Sequence, residues 1–425
     1  MQLPKHLICL FLYLFVVTGV QGQKNALPGG YQSFRTVPVG YCDLNGKPGF
    51  KLAIKEHEGK WYLYTTHFWH QGWSVVDVTD PSRPQVVNFI EGPANTATWQ
   101  IDLYDDKMIT GLEHRTKFPN FGGDSTRAQP EGVIIWDISN PVKPRRQGHF
   151  NTNSTGTHRN FYGGGKYMHL AAAAPGFTGN IYLIVDISDP ARPVEAGRWW
   201  VKEQQGGQDK DLSLHGPPYV IGDTAYLPYG SAGLIIVDIK DPSRIREIGR
   251  LDFSPPFHSR FGVHGVVPLP DKGIAYVNSE DISYGKGPAH HAAIVDIRDP
   301  AQPFLLSLLP EPVPPRGSPF RNFSEKGGWS GPHNMNQLQH NPAVQQQDSI
   351  FYLAHFNAGL RIYNVADARL PKEVGWFLPP EPTTRYGPMP VGKLVLQTED
   401  VLVDRRGYIY LTDKNQGLWI VRYVP

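Results

Sequence analysis

Short apolar runs closed by an acidic residue recur along the chain. GLIIVDI at 233–239 is representative, and WSVVDV (73–78), GVIIWDI (132–138), IYLIVDI (181–187) and AAIVDI (292–297) repeat it. GLRIYNV (359–365) and GLWIV (417–421) are two worn copies. A strand with no polar alternation is buried on both faces. The run at 233–239 follows LHGPPYVI and TAYLPYG, which read as two strands joined by a hairpin turn at Gly222-Asp223. An Asp-Pro turn comes next, then REIGRL, whose charged and apolar residues alternate as expected of a half-exposed edge. One unit is therefore four strands. Its signature aspartates are Asp77, Asp137, Asp186, Asp238 and Asp296, with Asn364 and Arg422 in the same slot, roughly 50 to 70 residues apart.

Seven third strands predict an all-β, seven-bladed β-propeller, because such units bury their apolar faces only against one another. The seventh copy ends at Pro425 without a fourth strand. An open edge there needs a partner. The segment near 31–41 (YQSFRTVPVGY) is expected to complete the last blade and close the ring. The repeat aspartates are expected to accept backbone hydrogen bonds at the turns, since no reaction needs five of them.

Composition changes this picture in two places. Residues 1–22 read as a signal peptide: Lys5, an apolar stretch from Leu7 to Val17, and small residues at Val20-Gln21-Gly22. The expectation is a secreted or periplasmic protein with residues 23–425 as a single domain and no membrane span. Cys42 is then the one cysteine left in the mature chain, so packing rather than a disulfide must stabilise it. The net charge of +2 and the lack of a basic run argue against nucleic acid. The expected state is a monomer.

The repeated apolar-acid phrase resembles the LVIVD-repeat family of β-propellers. That resemblance implies the fold over nearly the whole mature chain and names no activity.

Chemistry is suggested by the first strands. His158 (THRNFY), His215 (LHGPPY), His264 (VHGVVP) and His333 (PHNMNQ) share one slot, which Glu399 (TEDVLV) fills in the last blade and Lys51 and Trp99 fill in the first two. First strands line the central channel of a propeller, so these side chains are expected to converge. Four imidazoles and a carboxylate suit a transition metal such as copper, iron or zinc. They also suit a bland reading, in which the histidine is repeat consensus bonded to a neighbouring blade. A second set follows the second strands or lines the same face: His67, His70, Glu113, His114, Arg159, His169, Tyr229 and His355. These are expected to form a cup for a small-molecule or carbohydrate ligand, or to be scattered loop residues. The pair His290-His291 points to opposite faces of a strand and reads as incidental.

Three insertions, at 114–131, 304–332 and 378–392, are the expected loops for function, as a lid over the channel or as plain connections. Three functions follow: a metal-dependent oxidoreductase, a non-catalytic propeller binding a ligand, glycan or protein, and a polysaccharide lyase.

Overall fold

The computed structural model describes residues 27–118, 121–209, 211–253, 261–284 and 290–425. The leader expected at 1–22 lies outside these. Seven four-stranded antiparallel sheets follow one another around a ring. The innermost strands of blades 1 to 5 are Gly49–His57, Thr96–Tyr104, Thr157–Phe161, Tyr219–Ile221 and Gly265–Leu269. Blade 6 begins on an irregular segment that bridges Met335 to Leu353, and continues through Ile350–Ala354, Leu360–Asn364 and Lys372–Leu378. Blade 7 runs from Thr398–Val403 through Tyr408–Asp413 to Gln416–Tyr423.

The ring closes as the pattern predicts. Thr36–Cys42 pairs with Gln416–Tyr423 and supplies the missing outer strand of blade 7. The N-terminal segment does more than expected, because Gln32–Phe34 first adds an extra outer strand to blade 6. Arg35, at φ 50, makes the kink between the two. The two ends of the chain therefore staple adjacent blades.

The apolar third strands face two ways. Leu234 and Ile236 pack with Val266, Ala275 and Val295 of blade 5. Ile235 and Val237 pack with Tyr182 and Ile184 of blade 3. Each residue of the run has a neighbouring sheet, which is why the run carries no polar alternation.

The repeat aspartates act as turn acceptors. Asp77, Asp137, Asp186, Asp238 and Asp296 each accept from the backbone N–H two residues on, at 2.8–3.0 Å. The acid or amide before the proline does the same: Asp80, Asn140, Asp189, Asp241 and Asp299 accept at 3.0–3.1 Å. Four of these turns abut the outer strand of the preceding blade at a glycine. A Cβ on Gly40, Gly148, Gly197 or Gly249 would lie 2.0, 1.7, 1.8 or 2.5 Å from the carbonyl oxygen of Pro81, Pro190, Pro242 or Pro300. Two other junctions use a side-chain donor instead: Asn88 Nδ2 donates to the Val142 carbonyl, and Ser307 Oγ to the Ala368 carbonyl.

One end of the channel is plugged by the chain between His333 and blade 6. Asn341 Nδ2 donates to the Ile54 carbonyl in blade 1, and His340 Nε2 lies 3.0 Å from Asp102 in blade 2. Leu338, Ala343 and Val344 pack into the core of blades 1 and 2. The channel therefore opens at the opposite end.

Gly197→Ala places a methyl where no space exists, and overpacking of this kind costs roughly 1–3 kcal/mol or more. A matched substitution at Gly222, whose Cβ would meet nothing within 4 Å, tests only the cost of its positive φ of +55. Urea unfolding is expected to show the larger loss for Gly197→Ala. Equal midpoints for the two would remove the blade junction as the reason.

Candidate metal centre on the propeller axis

The four histidines form an arc at the open side of the plug. His158 stands in the innermost strand of blade 3, while His215 and His264 come just ahead of those of blades 4 and 5. His333 stands on the inner segment of blade 6. Successive ring centroids are 4.8, 5.2 and 4.9 Å apart, and all four rings are buried. Equivalent slots in consecutive blades do converge.

Hydrogen bonds fix which nitrogen carries the proton. His264 Nδ1–H donates to the His333 carbonyl at 3.0 Å, and His333 Nδ1–H donates to the Glu399 carbonyl at 2.6 Å. A carbonyl only accepts, so Nε2 of both rings holds the lone pair. His158 Nδ1–H donates to the Glu113 carboxylate at 3.0 Å, and its Nε2 is buried with no hydrogen-bond partner. His215 differs, because its Nε2–H donates to Glu280 at 2.8 Å.

Glu280 is the centre of the arc. Its carboxylate lies 2.8, 3.8 and 3.5 Å from Nε2 of His215, His264 and His333. One donor atom each from His215, His264 and Glu280 falls within 4.8 Å of the others. Burial keeps His158, His264 and His333 neutral. It drives His264 and His333 well below the usual imidazole range, and burial with the Arg159 charge holds His158 at about 4. Glu113 goes the other way: burial pushes its carboxyl up, but Lys117 and His158 pull it below the ordinary range. One cation already sits among them. Arg159 Nη2 donates to His264 Nε2 at 3.2 Å.

Glu399 lies beside His333, its carboxylate 3.4 Å from Nδ1, but it is engaged by a direct ion pair with Lys414. Burial lifts its carboxyl to about 7 against the opposing pull of Lys414. Lys414 in turn lies 3.9 Å from the Trp329 ring centroid. Lys51 and Trp99, in the two slots without histidine, do separate work. Lys51 pairs with Asp400 at 3.1 Å, and Trp99 stacks on Phe68 with centroids 5.0 Å apart.

Neither Glu280 nor Lys414 follows from aligning first strands. The signal lies in the second strands. Lys107, Ile274 and Tyr408 pair with the repeat slot at Asp137, Asp296 and Arg422. Counting on six residues from each reaches Glu113, Glu280 and Lys414. The same count from Tyr62 and Ile350 reaches Phe68 and Phe356.

A cavity of about 370 Å³ opens above the arc, with His158, Arg159, His215, Glu280, His333 and Glu399 among its lining. Its other walls are mostly aromatic, and all three insertions contribute. Phe118 and Phe121 come from the first, Trp329 from the second, and Pro388, Met389 and Val391 from the third. The third insertion is anchored over the opening: Asn415 Nδ2 donates to the Met389 carbonyl, and the Val391 N–H to the Tyr284 hydroxyl.

The second predicted set does not gather into one cup. Glu113 and Arg159 join the axial cluster. His67 is locked in blade 1, its Nδ1 at the Lys47 and Pro48 carbonyls and its Nε2 at Ser74. His169 is buried against the Tyr182 hydroxyl at 2.7 Å, and Tyr229 hydrogen-bonds Gln204. His70 and His114 are only partly buried. His355 faces His290 instead, with centroids 5.8 Å apart.

Burial holds His169 at about 3. Its folded value is below the unfolded value near 6.5, so neutral His169 costs nothing above that pH. Below it the unfolded chain takes up a proton that the folded chain refuses. Stability is lost at about 1.4 kcal/mol per pH unit until the folded value is reached. His169→Gln is expected to flatten the fall of unfolding free energy between pH 6.5 and 4.5 by that slope. An unchanged slope would show that His169 protonates in the folded protein.

Sequence comparison matches the LVIVD repeat at residues 128–152, 175–200 and 219–252. No curated protein matches the sequence. Solved structures match the fold. The β-propeller domain of Cps50 (Swd1) from Myceliophteria thermophila is 11% identical with a TM-score of 0.56, over 92% of this chain and 100% of that one. Streptogramin B lyase is 10% identical with a TM-score of 0.50, over 92% and 98%. A putative 6-phosphogluconolactonase from Bacteroides uniformis is 12% identical with a TM-score of 0.50, over 75% and 83%. Identities this low speak for architecture alone. The chain carries LVIVD repeats at three places and folds as a seven-bladed β-propeller.

Proposed function

We propose that this propeller holds a transition-metal ion on its axis and acts as an oxidoreductase on a small, largely apolar substrate. The observation that carries the reading is the convergence of three Nε2 atoms on Glu280, with the Nδ1 protons of His264 and His333 pinned outward on backbone carbonyls. Outward hydrogen bonds of this kind orient and strengthen metal-binding imidazoles. Neutral imidazoles with a carboxylate fit copper, iron or zinc, and of these copper and iron supply one-electron and oxygen chemistry when bound.

The chain's own residues divide the work. His215, His264 and Glu280 are the nucleus of the donor set, and His333 and His158 flank it with inward Nε2 atoms. Glu399 and Lys414 brace His333 from behind. The His215–Glu280 pair can pass a proton along its hydrogen bond. Arg159 places a positive charge at the cavity floor, where an anionic or carbonyl oxygen of a substrate would meet it. The aromatic walls favour an apolar body and exclude water. The sequence at 1–22 supports action outside the cytoplasm.

A second reading, ligand binding without chemistry, draws on Arg159. Its bond to His264 and the His215–Glu280 pair satisfy much of the axial polarity without an added ion. The lyase reading is weaker. Tyr284, His215 and Arg159 line one cavity, but its aromatic walls and the 388–391 cover do not suit a uronate polymer.

Elemental analysis of protein purified without a chelating tag separates the two readings. The expected result is bound copper, iron or zinc, of which about one equivalent is lost in His215→Ala plus His264→Ala. Metal-free protein whose melting temperature does not rise on adding any of the three would overturn the metal reading, since a ligand of the native state must stabilise it.

A further inference from the structure

Blades 5 and 6 carry another set of donors outside the axial cluster. His290 comes just before the third strand of blade 5 (Ala292–Asp296), and His355 just after the second strand of blade 6 (Ile350–Ala354). Glu311 lies on the proline-rich connection that leaves the last strand of blade 5 (Phe304–Leu308). One donor atom from each residue lies within 4.8 Å of the other two. The rings stand nearly perpendicular, at 84°. Nδ1 of His290 and Nδ1 of His355 are both buried and both lack a hydrogen-bond partner. Glu311 approaches His290 Nδ1 to 3.4 Å, too far for a good charge-assisted bond. A cation between them would give both buried nitrogens a close partner.

The geometry points to a second cation site, in which His290, His355 and Glu311 hold a zinc-type divalent ion with water in the remaining position. Two imidazoles and a carboxylate are a common open zinc set. Ligands of a tetrahedral zinc are about 3.3 Å apart at the usual bond lengths, so the donors need close by about 1.5 Å at most. Glu311 can close on the two histidines cheaply, because its side chain is 61% exposed on a connecting segment. The adjacent histidines are therefore not incidental: His290 is a ligand because His355 comes from the next blade. Binding would tie the connection beginning at Leu309 to the propeller rim. None of this depends on the axial reading, which uses different residues.

The experiment is zinc titration by calorimetry of EDTA-treated protein carrying His215→Ala plus His264→Ala. The expected result is one equivalent of zinc, weakened at least tenfold by Glu311→Gln and by His290→Ala. Zinc should also slow proteolysis between residues 309 and 322 in the parent and not in Glu311→Gln. If the axial double variant does not fold, the same comparison in the unmodified chain serves, where Glu311→Gln should remove one class of zinc. Unchanged zinc affinity in both Glu311→Gln and His290→Ala, or no zinc binding in a folded axial variant, would overturn the second site. Full retention of metal by the axial variant would instead count against the axial reading.

Discussion

The propeller depends on one contact made around most of the ring: a rigid Asp-Pro turn seated on the backbone of the preceding blade's outer strand. The turn is stiff because two acceptors bind its backbone and proline sets its angle. The outer strand admits it because the facing residue has no Cβ. Gly40, Gly148, Gly197 and Gly249 leave room that no other residue can leave. A junction made by backbone against backbone tolerates little sliding, so the angle between neighbouring blades is set at the rim. Apolar packing between sheets supplies the bulk of the stabilisation, but packing alone is not directional.

Fixing the angle at the rim fixes distances at the axis. Residues in the same slot of consecutive innermost strands arrive about one ring apart, as the centroid spacings of the four histidines show. The plug between His333 and blade 6 closes the far end, and the three insertions wall the near end with aromatic side chains. The result is a small set of ionisable groups held buried and close together. Burying charge costs several kcal/mol per group unless each is paired. Here Lys117 pairs with Glu113, Lys51 with Asp400, and Lys414 with Glu399. These pairs are what allow so many charges to be buried near the axis.

Much of this was legible in the residues. The period of the apolar runs determined the number of blades. The absence of polar alternation in the third strands determined their double burial. The missing last strand required a donor from the N-terminal segment. The shared slot of His158, His215, His264 and His333 was visible because a circular repeat converts equal position into proximity.

Other features had no local sign. Gln32–Phe34 joining blade 6 depends on a kink at Arg35 that no pattern announces. The plug is an irregular segment whose partners, Ile54 and Asp102, lie hundreds of residues away. The pairing of His290 with His355 rests on two loops meeting between blades. Which nitrogen of each imidazole carries its proton depends on carbonyls of neighbouring blades. Periodicity therefore determined the architecture and the slots that face the axis, because those follow from local strand geometry repeated in a circle. The choice of Glu280 as the centre, the engagement of Glu399 by Lys414 and the aromatic roof were decided only in the folded state. The repeat places Glu280, Glu399 and Lys414 near the axis, but which of them pair, and what the irregular insertions lay over them, depends on contacts between blades that no local pattern specifies.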